Sequence, residues 1–140
     1  KLGKTDIKNI NDKNPFGISS KDINGIDDIV ILNEPLHLLK NRPVKVLLRS
    51  TDVLHNFYVP QFRGKMDMLP GSITYYWFEP IKTGIFEVLC AEFCGVGHYA
   101  MRSKVIVDEE KNYNKWLTKQ KTYEQVVLES SNKPMVKLNK

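Results

Sequence analysis

The sequence predicts an all-β sandwich with a short C-terminal helix, and three observations carry that prediction. Short runs rich in Val, Ile and Leu recur from residue 29 to residue 107, each bounded by Asn, Pro or charge. Turn-forming residues lie between these runs, and short strands joined by turns argue for a sandwich. From Asp108 the pattern changes: an acidic cluster opens a segment with helical spacing.

The elements follow in order. Residues 1–28 are polar, rich in Lys, Asn and Asp, with turn signals at Pro15-Phe16-Gly17 and Asn24-Gly25. They read as loop, packed on the domain in places through Phe16 and Ile26. Segments 29–32, 36–39 and 44–49 read as strands, and Pro35 and Pro43 stand where strands begin rather than in their middles. Segment 72–79 sets Ile73, Tyr75 and Trp77 against Thr74, Tyr76 and Phe78, which predicts a strand covered on both faces. Segments 85–89 and 104–107 complete the set. Asp108-Glu109-Glu110 favours a helix start, because carboxylates stabilise the positive end of the helix dipole. Tyr113, Trp116 and Leu117 then share one face, predicting a helix over 109–120 that packs on the sandwich. Beyond it the pattern is weak; Val126-Val127-Leu128 has the character of a docking segment, and 130–134 reads as a terminal linker. The expected organisation is an N-terminal loop region 1–28, a domain 29–121 and a tail 122–140.

With 140 residues and 41% hydrophobic content, the chain suits one small core. No run approaches the twenty apolar residues that cross a bilayer, and no signal peptide is legible. The chain begins at Lys1 and reads as a processed or cut-out fragment. The net charge is +5, with a pI near 9.2. Residues 1–50 contribute +3, 51–100 contribute −2 and 101–140 contribute +4. Basic residues are scattered, with no stripe of interleaved aromatics, which excludes a nucleic-acid reading.

The chemistry concentrates in Cys90-Ala91-Glu92-Phe93-Cys94-Gly95-Val96-Gly97-His98-Tyr99-Ala100-Met101. These are the only two cysteines, followed by an imidazole and a thioether. Soft sulfur with imidazole selects copper or zinc over magnesium or calcium. A disulfide is one alternative, but it leaves His98 and Met101 unexplained. Zinc is another, but its sites take a second cysteine pair or two histidines rather than a methionine. A weak axial methionine beside Cys and His is a habit of copper electron-transfer sites. A mononuclear site of that kind uses one cysteine; two cysteines can bridge two metals, each needing one imidazole. His55 is the available second histidine. His37, in Leu36-His37-Leu38-Leu39, reads as a core or edge-strand residue. Gly95 and Gly97 let the loop turn back, and Asp52 is placed to orient a ligand or to cap a turn. Phe57, Trp77 and Phe93 are expected in the core or shielding the site.

Asp52-Val53-Leu54-His55, Val59-Pro60, Lys65-x-Asp67, Pro70-Gly71 and the loop from Cys90 to Met101 together resemble the copper-A domain of cytochrome c oxidase subunit II, over roughly residues 15–116. The resemblance implies a cupredoxin Greek-key fold and two copper ions. It implies that Cys90 and Cys94 bridge the coppers, that His55 and His98 bind one each, that Met101 is axial on one and that the Glu92 carbonyl is axial on the other. It further implies a magnesium ion facing the Glu92 carboxylate at the boundary with subunit I. Nitrous oxide reductase shares the copper centre but usually carries Trp at the position of Glu92. The implied partners are cytochrome c as donor and oxidase subunit I as acceptor, on the outer, periplasmic face of a bacterial plasma membrane. Two membrane helices precede this domain in the family, and neither they nor the aromatic Trp-x-Trp segment after them is in this chain. The acidic patch that steers a basic cytochrome is thin here, so a mostly apolar docking face is expected. Two other classes compete: a copper chaperone or storage module, and a disulfide-stapled sandwich that binds a partner.

Overall fold

The computed structural model describes residues 2–12 and 14–131. Seven strands and two helices follow one another: β1 Leu36–Leu39, β2 Val44–Leu48, β3 His55–Val59, β4 Gly64–Met68, β5 Thr74–Phe78, β6 Gly84–Leu89, β7 Arg102–Asp108, α1 Glu110–Leu117 and α2 Tyr123–Ser131. The chain divides into two compact units: Asn33–Thr118, and the first 32 residues together with the segment from Lys119 onward.

In the larger unit, one sheet has the order β1-β7-β6-β3-β4 and a second pairs β2 with β5. Only β1 and β7 are parallel; the other pairs run antiparallel. The core lies between the sheets. Leu38, Val105 and Val107 form one buried cluster, and Leu48, Phe57 and Val59 another. Phe62, Phe86 and Val88 pack against both clusters, with the Phe62 ring 5.0 Å from those of Phe78 and Phe86. Gly64 is required by packing: a Cβ there would stand 1.9 Å from the Tyr76 hydroxyl.

Strands β3 and β4 were not legible in the sequence pattern, and they matter most for the site. Their register sets His55 opposite Met68 and Asn56 opposite Asp67. Asn56, 1% exposed, donates to Asp67 at 2.6 Å, so a buried amide ties β3 to β4 next to His55.

The expectation that β5 is covered on both faces is overturned. Thr74, Tyr76 and Phe78 are half-buried, whereas Tyr75 and Trp77 are 56% and 71% exposed. The two-stranded sheet has core on one side only, and Lys45 lies over the Tyr75 ring at 4.5 Å. Trp77 therefore does not serve as core.

His37 sits on edge strand β1, as expected, and anchors the helix. Its Nδ1 is 2.5 Å from Asp108 Oδ2, and its ring stacks on Trp116 of α1 at 4.6 Å. Helix α1 lies within the predicted 109–120.

In the smaller unit, segment 29–32 is not a strand. Ile29 forms a single bridge with Thr122, while Val30 is buried with Ile18 and Tyr123, and Val126 packs against them. Ile18, 4% exposed, is the buried anchor of the N-terminal region; Phe16 is 43% exposed. The buried Asn14 amide donates to the Ile18 carbonyl and the Tyr123 hydroxyl. Residues 123–131 are helical, where the sequence showed only weak pattern; most of the expected linker 130–134 lies outside the described residues.

Candidate metal centre

His55 is the first residue of β3, and Cys90 follows the last residue of β6. The loop between Cys90 and Met101 is closed by the Cys90 N–H donating to the Met101 carbonyl at 3.2 Å. Inside it, Gly95 adopts a φ of +120°, which L side chains rarely tolerate. The His98 N–H then donates to the Gly95 carbonyl at 3.1 Å and begins a three-residue 3-10 turn, His98–Ala100. That turn carries His98 and Met101 back over Cys94.

The ligating atoms converge. Cys90 Sγ stands 3.7 Å from Cys94 Sγ and 3.9 Å from His55 Nδ1. Cys94 Sγ stands 3.4 Å from His98 Nδ1 and 3.3 Å from Met101 Sδ. The Glu92 carbonyl lies 3.3 Å from Cys90 Sγ. Two ligands on one tetrahedral metal, at bonds of about 2.0–2.3 Å, stand about 3.3–3.8 Å apart. These distances therefore match shared coordination, and both cysteines are free thiols. His55, Cys90 and Cys94 alone already form a group able to hold a metal ion. The residues present fit copper: the soft donors cluster, and no carboxylate stands among them.

Sequence reasoning named Asp52 but missed Ser50. Asp52 Oδ1 is 2.8 Å from His55 Nε2, and Ser50 Oγ is 3.0 Å from the same carboxylate oxygen. The sole signal is Ser-x-Asp-x-x-His, which says nothing until the turn folds. Phe93 was expected as a shield; its ring is 6.1 Å from that of His98 but 84% exposed, so it rims the site instead of covering it. Phe57, 8% exposed, is core as expected.

The electrostatics are asymmetric. The hydrogen bond from His55, then those from the Val53 backbone and Ser50, hold the Asp52 carboxyl down at about 2. Asp52 in turn, followed by Cys90, raises His55 above its usual value. Burial acts to raise the Cys90 thiol, but backbone contacts from Glu92 and Asn56 and the His55 imidazole prevail and lower it to about 6. Cys94 is raised, by burial first and then by its neighbour Cys90. One thiolate thus forms readily beside His55, and the second awaits a positive charge such as a metal.

The family model describing the periplasmic domain of cytochrome c oxidase subunit II matches residues 9–109. The chain belongs to this family. Among subunit II relatives, the alternative cytochrome c oxidase subunit 2 of Bradyrhizobium diazoefficiens is 58% identical over 123 residues, covering 88% of this chain and 44% of that protein. Cytochrome c oxidase subunit 2 of Thermostichus vulcanus is 42% identical over 89 residues, covering 64% of this chain and 27% of that one. The chain thus spans less than half the length of these relatives. The crystal structure of the periplasmic domain of subunit II (CoxB) of Bradyrhizobium japonicum superposes with a TM-score of 0.59 at 32% identity, covering 62% of this chain and 63% of that one. A second structure, a mixed-disulfide intermediate between a thioredoxin-like protein and the periplasmic domain of CoxB, gives 0.55 at 29% identity, covering 66% and 63%. A haem–copper terminal oxidase dimer gives 0.50 at 32%, covering 53% and 50%. The subunit II fold expected from the resemblance, all-β and cupredoxin-like with a short C-terminal helix, is the one observed. Among the described residues, no helix is long and apolar enough to cross a membrane.

Proposed function

We propose that this domain is the electron-transfer domain of a haem–copper terminal oxidase and holds a dinuclear copper-A centre. In this reading it takes electrons from a cytochrome c and passes them to the haem of subunit I, where dioxygen is reduced to water with coupled proton translocation. The observation that carries the reading is the convergence of Cys90, Cys94, His55, His98 and Met101, with neighbouring ligand atoms 3.3–3.9 Å apart.

Each residue then has a role. Cys90 and Cys94 would supply thiolates, His55 and His98 one imidazole each, Met101 a thioether and the Glu92 main chain a carbonyl oxygen to hold such a centre. When bound, a copper pair sharing two thiolates spreads one electron over both metals and rearranges little between redox states. The Glu92 carboxylate is assigned to magnesium at the subunit I boundary, and it favours an oxidase over nitrous oxide reductase. The native protein is placed at the outer face of a bacterial plasma membrane, anchored by helices outside this sequence.

Docking is expected to be largely apolar. The rim carries Phe93, Val96 and Tyr99 at 84%, 97% and 80% exposure, and the segment 51–100 nets only −2. Steering by charge is correspondingly small. The mixed disulfide between CoxB and a thioredoxin-like protein supports a further step in the same reading: the cysteine pair is kept reduced by thiol exchange before copper is loaded.

Stopped-flow mixing of the copper-loaded domain with reduced cytochrome c tests the function. The copper absorbance should bleach, with weak dependence on salt. An oxygen electrode should show no uptake above the copper-free control, because His37 is the sole histidine left once His55 and His98 bind copper, and it is engaged by Asp108. Sustained oxygen uptake by the purified domain would overturn this division of labour.

A further inference from the structure

Strands β2 and β5 turn one face to the core and the other to solvent. Val44, Val46 and Leu48 of β2 and Tyr76 and Phe78 of β5 pack inward. Side chains alternate along a strand, so Lys45, Leu47, Tyr75 and Trp77 share the outer face. The register sets Lys45 opposite Trp77 and Leu47 opposite Tyr75. The solvent side of an antiparallel sheet is ordinarily polar. Here Leu47, Tyr75 and Trp77 are 50%, 56% and 71% exposed, and Ile73, just before β5, is 58% exposed. Cations frame this apolar patch. Lys45 Nζ lies over the Tyr75 ring at 4.5 Å. The Asn41 N–H donates to the Pro80 carbonyl at 2.7 Å, which joins the turn before β2 to the segment after β5. That joint brings exposed Arg42 and Lys82 to the Trp77 end, beside Ile81 at 69% exposure. In segments 41–48 and 73–82, these three cations stand against the single carboxylate of Glu79.

We infer that the outer face of β2 and β5 is a contact surface for an anionic lipid bilayer, with Trp77, Tyr75 and Ile81 seated among the headgroups and Arg42, Lys45 and Lys82 paired with lipid phosphates. Charge complementarity selects this occupant. A bilayer surface offers negative headgroups with hydrocarbon just beneath, so it meets cations and apolar side chains on one face together. Trp and Tyr are the side chains that settle at headgroup level, because their rings are apolar and their tips polar. Each Lys or Arg near an anionic surface strengthens binding roughly fivefold. A second copy of the chain fits less well, because a two-fold contact would bring the same three cations of both copies into one interface. A protein tethered to the membrane, as proposed above, needs only a weak contact of this kind, since the tether raises the effective concentration of the surface. The inference does not rest on the copper reading, because none of these residues belongs to the metal cluster.

The test uses vesicles of phosphatidylglycerol and phosphatidylcholine in equal parts, against phosphatidylcholine alone. The metal-free chain should co-sediment with the anionic vesicles at low salt, be released as salt rises, and ignore the neutral ones. Lys45→Gln should weaken binding roughly fivefold. Lys104→Gln removes the same charge from the outer face of the other sheet, next to the core residue Val105, and should leave binding unchanged. Trp77→Ser should weaken binding as well; Trp77 and Lys45 are both exposed, so neither change touches the core. Fluorescence locates the contact, because Trp77 and Trp116 are the two tryptophans and Trp116 is stacked on His37. Anionic vesicles should shift the emission to the blue, and brominated lipid should quench it. Trp77→Phe should still bind, without either response. Absence of binding to anionic vesicles, equal binding to neutral ones, or equal losses in Lys45→Gln and Lys104→Gln would overturn the inference. So would self-association without vesicle binding, abolished by Trp77→Ser, which would give the face to a second copy. Because no metal is used, vesicle binding by a chain that never takes up copper would sink the copper reading and leave the lipid contact standing.

Discussion

Cys90 Sγ and Cys94 Sγ stand 3.7 Å apart, and each meets an imidazole nitrogen, His55 Nδ1 at 3.9 Å from Cys90 and His98 Nδ1 at 3.4 Å from Cys94. Two metals sharing two thiolates require the two sulfurs close together with an imidazole nitrogen near them for each metal. In the proposed centre each cysteine supplies a bridging thiolate, and no other residue of the cluster could substitute for it. Cys90→Ser and Cys94→Ser should each abolish the mixed-valence spectrum of the copper-loaded domain. Retention of that spectrum in either variant would show that the cysteines do not bridge.

Met101 stands 3.3 Å from Cys94 and is 39% exposed, at the edge of the cluster. An axial thioether tunes a copper site more than it holds it. Met101→Leu should keep the copper content and shift the reduction potential, read by redox titration against the parent domain. Loss of the copper would give Met101 a holding role instead.

The cysteines should also differ in reactivity before copper is bound. Cys90 is lowered from 9.0 to about 6, whereas Cys94 is raised. Alkylation of the reduced apo domain by iodoacetamide should therefore modify Cys90 with a half-maximal rate near pH 6, and Cys94 only above pH 9, as mass spectrometry of the peptides would show. The sign for stability follows. A group with a depressed folded value stabilises the fold fully above its unfolded value, so the Cys90 thiolate contributes above pH 9 and the contribution fades as pH falls through about 6. One common alkylation profile near pH 9 for both cysteines would contradict the assigned asymmetry.

The loop was legible in the sequence because Cys90, Glu92, Cys94, His98 and Met101 lie within twelve consecutive residues and metal chemistry restricts their types. His55 needed the fold, since it reaches the cluster from a different strand. Strands β3 and β4 escaped because their pattern is interrupted: Asn56 is polar yet 1% exposed, and Gly64, Lys65 and Asp67 break any apolar alternation. Strand β5 has apolar residues on both faces, and composition cannot tell that Tyr75 and Trp77 face outward. Helix α2 depends on Tyr123 and Val126 meeting Ile18 and Val30, about a hundred residues away in the chain. Ser50 stayed hidden because its partners Asp52 and Val53 are defined by a turn geometry that no spacing rule encodes.

The His37–Asp108 pair gives a prediction for stability alone. His37 and Asp108 side chains are 17% and 14% exposed, and the imidazole is sandwiched against Trp116. His37→Leu keeps the volume roughly but leaves a largely buried carboxylate without its donor, a loss of about 1–3 kcal/mol. Chemical denaturation should report that loss, with the copper spectrum unchanged, because Arg102 at the opposite end of β7 is the end beside the loop. A stability within error of the parent would remove the pair from the account of how α1 is held.

The central claim is a pair of coppers held by this chain. The most direct measurement is elemental analysis of the copper-loaded domain combined with its electron paramagnetic resonance spectrum. Two coppers per chain, with one unpaired electron shared equally by both nuclei, is the predicted result. One copper per chain with the spectrum of an isolated Cu(II) ion, colourless Cu(I), zinc in its place, or no bound metal would contradict it.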